Sequence, residues 1–516
     1  MQKTTPHLLN RTEHFQGALI GEGLIIGAVS GMVVLLYRVA LKYADTFLQA
    51  ILQYMQKSPL TTGLWFVILA GAAFVVSKLV QWEPMASGSG IPQLEGEMTG
   101  KLDPCWWRVL LVKFTGGFLS LICGLSLGRE GPSIQLGAMA GKGFSRLTKR
   151  GITEEKFLLT CGASAGLSAA FHAPLAGIMF SLEEIHKSFS AAVIVSVMTA
   201  SLTADYLSSN ILGFEPVFQF DIGFELKPEL YWSLLLLGAL LGVLGAFYNK
   251  AMLKIQSLMQ TCRYLNPLTR MMVPFLLAGV LGFTVPELLG SGNNMVTSIT
   301  SGEWTLGVLL LLFVGKFLFS AVSFGSGAPG GIFFPLLVLG SLIGGAFGTA
   351  GVEFFGLDPS DVNNFVLLSM AGYFTAIVRA PLTGIILIFE MTGSVSQMLS
   401  LSIVSIVAYI VANWLRSDPI YESLLDAILK RQGNTIPENQ EKVLLEFVIR
   451  HGSEASGKKV KDLKFPGNCL LVSIQRGRRE MIPRGNTVLL PGDTLAVMTA
   501  ASDEGGIYDA MRRICT

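Results

Sequence analysis

The chain contains, from Gly124 to Gly137, the sequence Gly-Leu-Ser-Leu-Gly-Arg-Glu-Gly-Pro-Ser-Ile-Gln-Leu-Gly. Its acid, Glu130, lies between glycines in apolar surroundings, and Pro132 follows at a position typical of the first turn of a helix. Glu130 is therefore predicted at or just before a helix N-terminus, where free N–H groups and the helix dipole bind anions. An ionisable group at membrane depth indicates function, and a carboxylate that only caps the helix is the structural alternative.

The composition indicates a polytopic membrane protein. Of 516 residues, 51% are hydrophobic and 14% are charged, whereas soluble proteins have about 25% charged residues. The net charge of +2 and the lack of a basic stripe interleaved with aromatics argue against a nucleic-acid partner. The six cysteines show no metal-ligand spacing, so neither a metal site nor a disulfide framework is predicted. Residues 1–16 are polar and form a predicted cytoplasmic N-terminal lead.

Two series of apolar segments follow, separated by the polar loop 213–227. Many of the segments are shorter than the roughly 20 residues needed to cross the hydrocarbon. Broken spans are tolerated only where their ends face protein or a wet cavity, and paired broken helices indicate a transporter. The predicted segments are Gly17–Ile51, Leu64–Val80, Cys105–Leu125, Phe157–Phe171, Ala173–Ile185, Ala191–Leu212, Leu230–Met252, Met272–Val285, Trp304–Phe324, Gly331–Phe347, Val362–Val378, Pro381–Met391 and Leu399–Leu415.

The two series resemble each other, which predicts an internal repeat. The sequence Ala173-Pro-Leu-Ala-Gly-Ile178 recurs 207 residues later as Ala380-Pro-Leu-Thr-Gly-Ile385. Three further features of the first series recur in the second series: an acid, a lysine and a glycine–serine–glycine break. These pairs are Glu183 and Glu390, Lys113 and Lys316, and Gly88–Gly90 and Gly290–Gly292.

The chain changes character after about residue 436. Val443–Val448, Leu470–Ile474 and Thr494–Met498 are predicted strands, with turns at Arg476-Gly477 and Gly492-Asp493. Residues 432–516 are therefore interpreted as a linker and a small α+β domain at about 437–514. The basic residues 430 and 431 directly after the last span predict that this domain is cytosolic.

Three breaks punctuated by glycine precede apolar, helix-like runs: Gly88–Pro92, Gly128–Pro132 and Gly325–Phe333. We expect their helix N-termini to converge near the membrane midplane. An unsolvated anion in hydrocarbon costs several to tens of kcal/mol, whereas the dipole of one helix end contributes roughly 0.3–2 kcal/mol. Direct N–H and hydroxyl donors must therefore replace the lost water. An ionised Glu130 could occupy the place of a permeating anion and leave when protonated, which would couple proton occupancy to anion occupancy.

Other patterns have weaker interpretations. Glu183 and Glu184 lie at the end of an apolar segment. A second buried acid here would complete a path for protons. The alternative is that the two acids mark the cytoplasmic end of a helix. Gly162-Ala-Ser164-Ala-Gly166 fits a nucleophile elbow, with His172 nearby, which leaves an intramembrane enzyme as an alternative. No predicted strand precedes Ser164, so enzymatic activity is not expected. The glycine-rich run 325–331 lacks the Lys-Ser/Thr pair of a phosphate-binding loop.

At these residues the sequence resembles the CLC family of chloride channels and proton-coupled anion transporters. The resemblance covers roughly residues 16–431 and rests on Gly88-Ser-Gly-Ile-Pro92, Gly128-Arg-Glu-Gly-Pro132 and Gly330-Gly-Ile-Phe-Phe-Pro335. It implies a homodimer in the lipid bilayer with one pore per subunit. It also implies an all-α polytopic membrane domain at 17–431, built as an inverted repeat of broken helices. Its halves would be 17–212 and 230–416, with a closing helix at 419–431.

The resemblance also implies the roles of individual residues. Ser89 and Tyr421 would coordinate a central chloride from the inner side, and Glu130 would be the external gating glutamate. Glu184 occupies the place of the internal proton glutamate of family exchangers, where channel members typically have an apolar residue. The implied anion-binding residues are Ser89, Gly90, Ile91, Gly131, Gly331, Ile332, Phe333 and Tyr421.

Glu184 thus favours a chloride/proton antiporter of the bacterial inner membrane over a passive chloride channel. Ser89 favours chloride, because family members that prefer nitrate often have proline there and fluoride exchangers depart from the surrounding motif. A fluoride or nitrate exchanger remains the alternative. Gln93 departs from close bacterial exchangers, which often have an acid at this position, but leaves the central site intact. No cofactor beyond bound chloride is implied.

The C-terminal region resembles the C-terminal subdomain of the potassium-transport regulators called RCK. The matching run is Met481-Ile-Pro-Arg-Gly-Asn-Thr-Val-Leu-Leu-Pro-Gly-Asp493. Such domains commonly dimerise and bind small regulatory ligands, including cyclic dinucleotides. The resemblance therefore implies either a ligand-binding regulatory domain or a module that serves only for dimerisation.

Overall fold

The computed structural model describes residues 5–515, except for residues 57, 188, 190, 214–217, 219–225, 227, 303, 394–396, 433–441, 464, 478 and 501–502. The chain divides into two compact units, Met1–Leu425 and Asp426–Thr516. Most of the predicted loop 213–227 and of the linker that begins at residue 432 lies outside the described residues. The two units are described separately below.

The first unit is built from helices, and the last of them continues past its end at Leu425. In chain order they are α1 (Thr5–Met55), α2 (Pro59–Trp82), α3 (Ile91–Met98), α4 (Trp106–Ile122), α5 (Glu130–Leu147), α6 (Ile152–Phe171), α7 (Pro174–Phe180), α8 (Ala191–Leu212), α9 (Tyr231–Thr261), α10 (Pro267–Thr284), α11 (Asn293–Thr300), α12 (Leu306–Gly325), α13 (Phe333–Phe355), α14 (Val362–Val378), α15 (Pro381–Thr392), α16 (Met398–Trp414) and α17 (Ile420–Arg431). A π-helical segment, Ser181–His186, directly follows α7.

Short helices alternate with long ones. Among the described residues, seven helices are long and apolar enough to cross a membrane. In contrast, α3, α7 and α11 have only 8, 7 and 8 residues. A helix rises about 1.5 Å per residue, so these three cannot cross a hydrocarbon layer of about 30 Å. The predicted fold class, a membrane domain of broken helices with a small α+β domain, is confirmed.

The first helix is longer than predicted. It runs from Thr5 to Met55 rather than from Gly17 to Ile51, so the polar lead is helical from Thr5 onward. Pro6 does not interrupt it, because the first turn of a helix needs no N–H donor there. The early glycines of α1 allow close packing on α8: a Cβ at Gly27 would lie 2.5 Å from the carbonyl oxygen of Ala200.

The internal repeat is visible in two buried lysines. Lys113 in α4 donates to the carbonyl oxygens of Ala86 and Gly88 at 3.0 and 2.6 Å. Lys316 in α12 makes the same pair of bonds to the carbonyls of residues 288 and 290, at 3.0 and 2.8 Å. Each ammonium therefore stabilises the glycine-rich break before a short helix, α3 in the first half and α11 in the second.

The acids of the repeat cap helices of the opposite half. Glu183 accepts hydrogen bonds from the Thr383 amide at 2.9 Å and the Thr383 hydroxyl at 2.8 Å, at the start of α15. Glu390 accepts from the amides of Leu175 and Ala176 at 2.9 and 2.7 Å, at the start of α7. A carboxylate at a helix N-terminus satisfies free N–H groups and complements the helix dipole. The matched acids therefore hold the two halves together.

The second unit is a four-stranded antiparallel sheet with one helix. Its elements are β1 (Lys442–Val448), β2 (Cys469–Arg476), β3 (Arg479–Met481), β4 (Thr494–Ala500) and α18 (Glu504–Cys515), and the strand order is β1-β4-β2-β3. Ile474, Leu495 and Val497 are buried in its core together with Met511 of α18. The short strand β3 was not predicted, although the turn at Arg476-Gly477 was.

Candidate anion-transport site

The three predicted breaks lie together. The backbones of Gly128 and Gly331 form a short antiparallel bridge, with N–H···O distances of 2.7 and 2.8 Å in the two directions. The Gly330 amide donates to the Gly88 carbonyl at 3.0 Å. These bonds bring the starts of α3, α5 and α13 to one place in the interior of the first unit.

Glycine is required where the breaks meet. A Cβ at Gly131 would lie 2.4 Å from Ser89 Oγ and 2.8 Å from the Ser89 carbonyl oxygen. A Cβ at Gly128 would lie 2.4 Å from Oε2 of Glu130. Gly90 has a φ of 96° at the N-cap of α3, a conformation that residues with side chains rarely adopt. The glycines therefore let α3 and α5 approach closely enough to share one site.

The other predicted anion-binding residues mark the starts of the helices. Ile91 is the first residue of α3, and Gly131 is the second residue of α5. Ile332 is the N-cap of α13 and Phe333 its first residue. Helix N-termini present N–H groups without intrahelical partners. The location of these residues therefore suits them to bind an anion through the backbone.

Three predicted site residues carry polar atoms that lack a partner. Ser89 is 2% exposed, and Glu130 and Tyr421 are fully buried. Among the described residues, no hydrogen-bond partner is found for Ser89 Oγ, the Tyr421 hydroxyl or either carboxylate oxygen of Glu130. A buried polar group left unpaired costs about 1–3 kcal/mol. The Ser89 and Tyr421 side chains lie close together, so their two hydroxyls could donate to one bound anion.

Glu130 itself is the first residue of α5. Its Oε1 lies 3.7 Å from Nε of Arg129, whose side chain is partly exposed. This is the range of an ion pair without a hydrogen bond. The backbone N–H groups of Arg129, Glu130 and Phe334 also lie close to the carboxylate. Glu130 therefore places its negative charge at the N-termini of α5 and α13.

Glu184 lies in the π-helical segment after α7 and is 6% exposed. Its Oε1 is buried without a hydrogen-bond partner among the described residues. The Tyr421 hydroxyl is close enough to both Glu184 and Glu130 to interact electrostatically with each. Both acids that are predicted to carry protons therefore lie within electrostatic range of the same tyrosine.

Comparison with known proteins gives the family. Residues 71–413 match the sequence model of the family described as voltage gated chloride channel, and residues 444–511 match that of the TrkA-C domain. The chain belongs to the CLC family.

Its CLC relatives include exchangers. The H(+)/Cl(-) exchange transporter ClcA of Vibrio campbellii is 36% identical over 427 residues, which are 81% of this chain and 91% of the relative. ClcA of Vibrio cholerae is 40% identical over 384 residues, 72% of this chain and 81% of the relative.

The CLC fold is also found among solved structures. A slow cyanobacterial Cl-/H+ antiporter is similar with a TM-score of 0.77 and 30% identity, covering 80% of this chain and 99% of that chain. A CLC-type fluoride/proton antiporter, at 22% identity and a TM-score of 0.63, shares the fold. The predicted resemblance to the CLC family with an RCK-type C-terminal domain is confirmed.

A charged cluster beside Glu184 was not predicted. Nζ of Lys187 lies 2.5 Å from Oε1 of Glu95 and 2.5 Å from Oε1 of Glu422. The lysine and Glu422 are partly exposed, whereas Glu95 is buried. The sequence indicated this cluster only through two acids, Glu95 and Glu97, in the short segment after Gly88–Pro92. Nothing in the sequence showed that Lys187 would join them.

The residues that hold the segment before Tyr421 were also missed. Arg379 donates to the carbonyl oxygens of Tyr409 and Ser417 at 2.8 and 2.7 Å. Asn249 in α9 donates to the Asp418 carbonyl at 3.0 Å. These bonds fix the start of α17 and hence the position of its second residue, Tyr421. Arg379 directly precedes the repeated Ala-Pro motif, but its bonding could not be read from that spacing.

The Ser164 motif does not form a nucleophile elbow, and one group of acids in the described part of the chain has its own cations. Ser164 lies within α6, and the nearby His172 instead contacts Ser209 Oγ at 3.1 Å. Glu97, Asp103 and Glu155 lie close enough together to suggest a cation site. The cation there is an amino-acid side chain: Lys142 contacts Glu97 and Asp103, and Arg146 contacts Asp103 and Glu155.

Proposed function

We propose that this chain is a chloride/proton antiporter of the bacterial inner membrane. The observation that supports this most is the packing of the breaks before α3, α5 and α13 against one another, with the buried Ser89, Tyr421 and Glu130 side chains beside them. The names of the related exchangers support the same substrate pair. Glu184 would carry the proton on the inner side.

The exchange of charge at Glu130 explains how the two fluxes would be coupled. An ionised Glu130 and a chloride ion each place one negative charge at the start of α5, so each can accept from the same N–H donors. When both are present, the two negative charges repel each other. Protonation neutralises Glu130, and the carboxyl leaves the anion path. A chloride can then enter. Each cycle of protonation and release therefore moves protons and chloride in opposite directions.

The inner proton step would use Glu184. This acid is buried near Tyr421 and is not one of the two residues of the backbone bridge, Gly128 and Gly331. It also lies near the partly exposed Lys187, and Lys187 would mark the side from which Glu184 receives its proton. A passive channel would not need a buried acid at this position, since such a group is costly to keep in the membrane.

The test is exchange by the purified full-length chain in liposomes, with proton and chloride fluxes recorded together. A pH gradient should drive chloride uphill, Glu130→Ala should pass chloride without protons, and Glu184→Ala should retain chloride flux but lose proton flux. Glu353→Ala, which removes an exposed acid at the end of α13, serves as a control and should behave as wild type. If the pH gradient moves no chloride uphill, the chain is a passive channel. Competition by fluoride and nitrate in the same assay separates the remaining alternatives.

We further propose that the protein is a homodimer in the lipid bilayer with its C-terminal domain in the cytoplasm. Chloride and protons would be its only transported partners, and it would have neither a cofactor nor an enzymatic activity. The C-terminal domain at 437–514 would bind a small regulatory ligand such as a cyclic dinucleotide. Calorimetry of the full-length chain with a panel of cyclic dinucleotides tests this. If none of them binds or alters flux, the domain serves dimerisation only.

A further inference from the structure

Lys187 connects an accessible position to a buried acid that the transport steps above do not use. Its Nζ donates to Oε1 of Glu95 and to Oε1 of Glu422, both at 2.5 Å. The side chains of Lys187 and Glu422 are 40% and 47% exposed, whereas that of Glu95 is 7% exposed. The ammonium therefore reaches inward and places its charge against the buried carboxylate of Glu95.

The backbone at Lys187 suits glycine rather than lysine. The residue caps the end of the π-helical segment Ser181–His186 with a φ of 52°, in the left-handed region. The matching helix of the second half, α15, ends at Gly393 with a φ of 68°. The first half also differs by its π-helical turn, a feature that is frequent at functional sites. The side chain of Lys187 therefore explains why a lysine occupies this position.

Lys187 and Glu95 both lie near the proposed inner proton carrier. Glu184 precedes Lys187 by three residues in the same short segment, and both Glu95 and Lys187 are within electrostatic range of it. When Glu184 passes its proton on toward Glu130, its carboxylate becomes a second negative charge near Glu95. Two carboxylates that share a buried place resist being ionised together unless a cation offsets their repulsion.

We propose that Lys187 is a positioning residue of the proton step, whose ammonium offsets the charge of Glu95 so that the neighbouring Glu184 can release its proton. This proposal rests on the proposed function, because it takes Glu184 as the proton carrier. With a neutral residue at position 187, ionised Glu95 would keep the proton on Glu184. Proton movement would then slow while chloride still passes. Lys187 keeps its own proton throughout, so the step needs no further donor or acceptor.

The experiment records proton and chloride fluxes together for the full-length chain in liposomes. The variants are Lys187→Gln, Lys187→Arg and the double variant Lys187→Gln/Glu95→Gln. Glutamine can still donate to Glu95 but has no charge, so Lys187→Gln should lower proton flux about tenfold and keep chloride flux within about twofold of wild type. Lys187→Arg keeps the charge and should retain the wild-type number of chlorides per proton. The double variant should recover proton flux to within about threefold of wild type, because the charge that Lys187 offsets is also removed.

A second lysine offers a matched control. Lys142 also contacts one buried acid of α3, Glu97, and one exposed acid, Asp103. Its contacts are these acids and the Pro104 carbonyl rather than a proposed proton carrier. Lys142→Gln therefore removes a cation from a similar setting. It should keep the wild-type number of chlorides per proton even if both fluxes fall together.

Three results would overturn the proposal. Unchanged proton flux in Lys187→Gln would mean that the ammonium is not needed. A proportional loss of both fluxes would mean that the lysine only supports the fold. A double variant with proton flux as low as that of Lys187→Gln would mean that Lys187 does not act through Glu95. If Lys187→Gln passes no chloride at all, the double variant decides, since recovered proton flux supports the proposal and its absence overturns it. All of these results differ from failure of the proposed function, in which the wild-type chain would show no uphill chloride flux.

Discussion

The closest contact between the breaks makes Gly131→Ala a severe test of the site. The added Cβ would lie 2.4 Å from Ser89 Oγ, 2.8 Å from the Ser89 carbonyl oxygen and 3.3 Å from Ser89 Cα. The serine hydroxyl can rotate away, but the backbone carbonyl cannot. The start of α5 must therefore move away from the break before α3, which separates the donors that would share one anion.

The expected loss of chloride affinity follows from the clash between the added Cβ and Ser89. Overpacking by one methyl group in a tightly packed interior costs about 1–3 kcal/mol. If that strain falls on the anion-bound arrangement, chloride affinity should drop between about fivefold and about 150-fold. Ser89→Ala, which removes a donor without adding bulk, should weaken binding by about 10- to 150-fold, as expected for one hydrogen bond of about 1.5–3 kcal/mol to a charged group.

The assay is isothermal titration of chloride into the purified full-length protein. Gly71→Ala in α2 is the matched control, since a Cβ there meets nothing within 4 Å. It should leave both chloride affinity and thermal stability unchanged. A Gly131→Ala protein that folds normally and binds chloride within twofold of wild type would refute the assignment of the site to this junction.

Three further predictions concern coupling and stability. Glu183→Ala should lower thermal stability by about 1–2 kcal/mol, because the start of α15 loses its cap; an unchanged melting temperature in detergent would contradict this role. Arg379→Met should weaken chloride binding severalfold, because the carbonyl of Ser417 before α17 loses its donor, and Arg379→Lys should restore part of the loss in the same titration. In the C-terminal domain, burial raises the pKa of Asp493, but hydrogen bonds from Arg476 and the Leu490 amide outweigh it and hold the pKa below its usual range. The stability from this pair is complete above the pKa of an unfolded aspartate, about 4, and is lost as the pH falls through the lower folded value. Asp493→Asn should therefore expose β4 to hydrogen exchange at pH 7, with a weaker pH dependence than wild type.

The parts of the site that could be predicted are those that local sequence determines. Glu130 and Gly131 are marked by glycine and proline because a helix must begin there and another backbone must approach closely. Lys113 and Lys316 were matched through the repeat, and the structure gives them matching bonds. The conclusion that Tyr421 joins this site came from the family resemblance, since no spacing connects it to Glu130.

The remaining parts depend on side chains from distant segments. Glu95, Lys187 and Glu422 meet only after α3, the segment after α7 and α17 have packed. The helix α11 was missed because it is short and mostly polar. Its start is recognisable only by comparison with α3 across the repeat.

The crosswise caps of Glu183 and Glu390 have a consequence for biogenesis. The amides at the start of α7 find their acceptor 214 to 215 residues further along the chain. While the protein is being synthesised, the first half therefore enters the membrane with a helix end that only the second half can cap. The second half depends on the first in the same way, because the start of α15 is capped by Glu183 of the first half. A gene fragment that encodes either half alone would therefore leave its product with uncapped N–H groups at the start of α7 or α15.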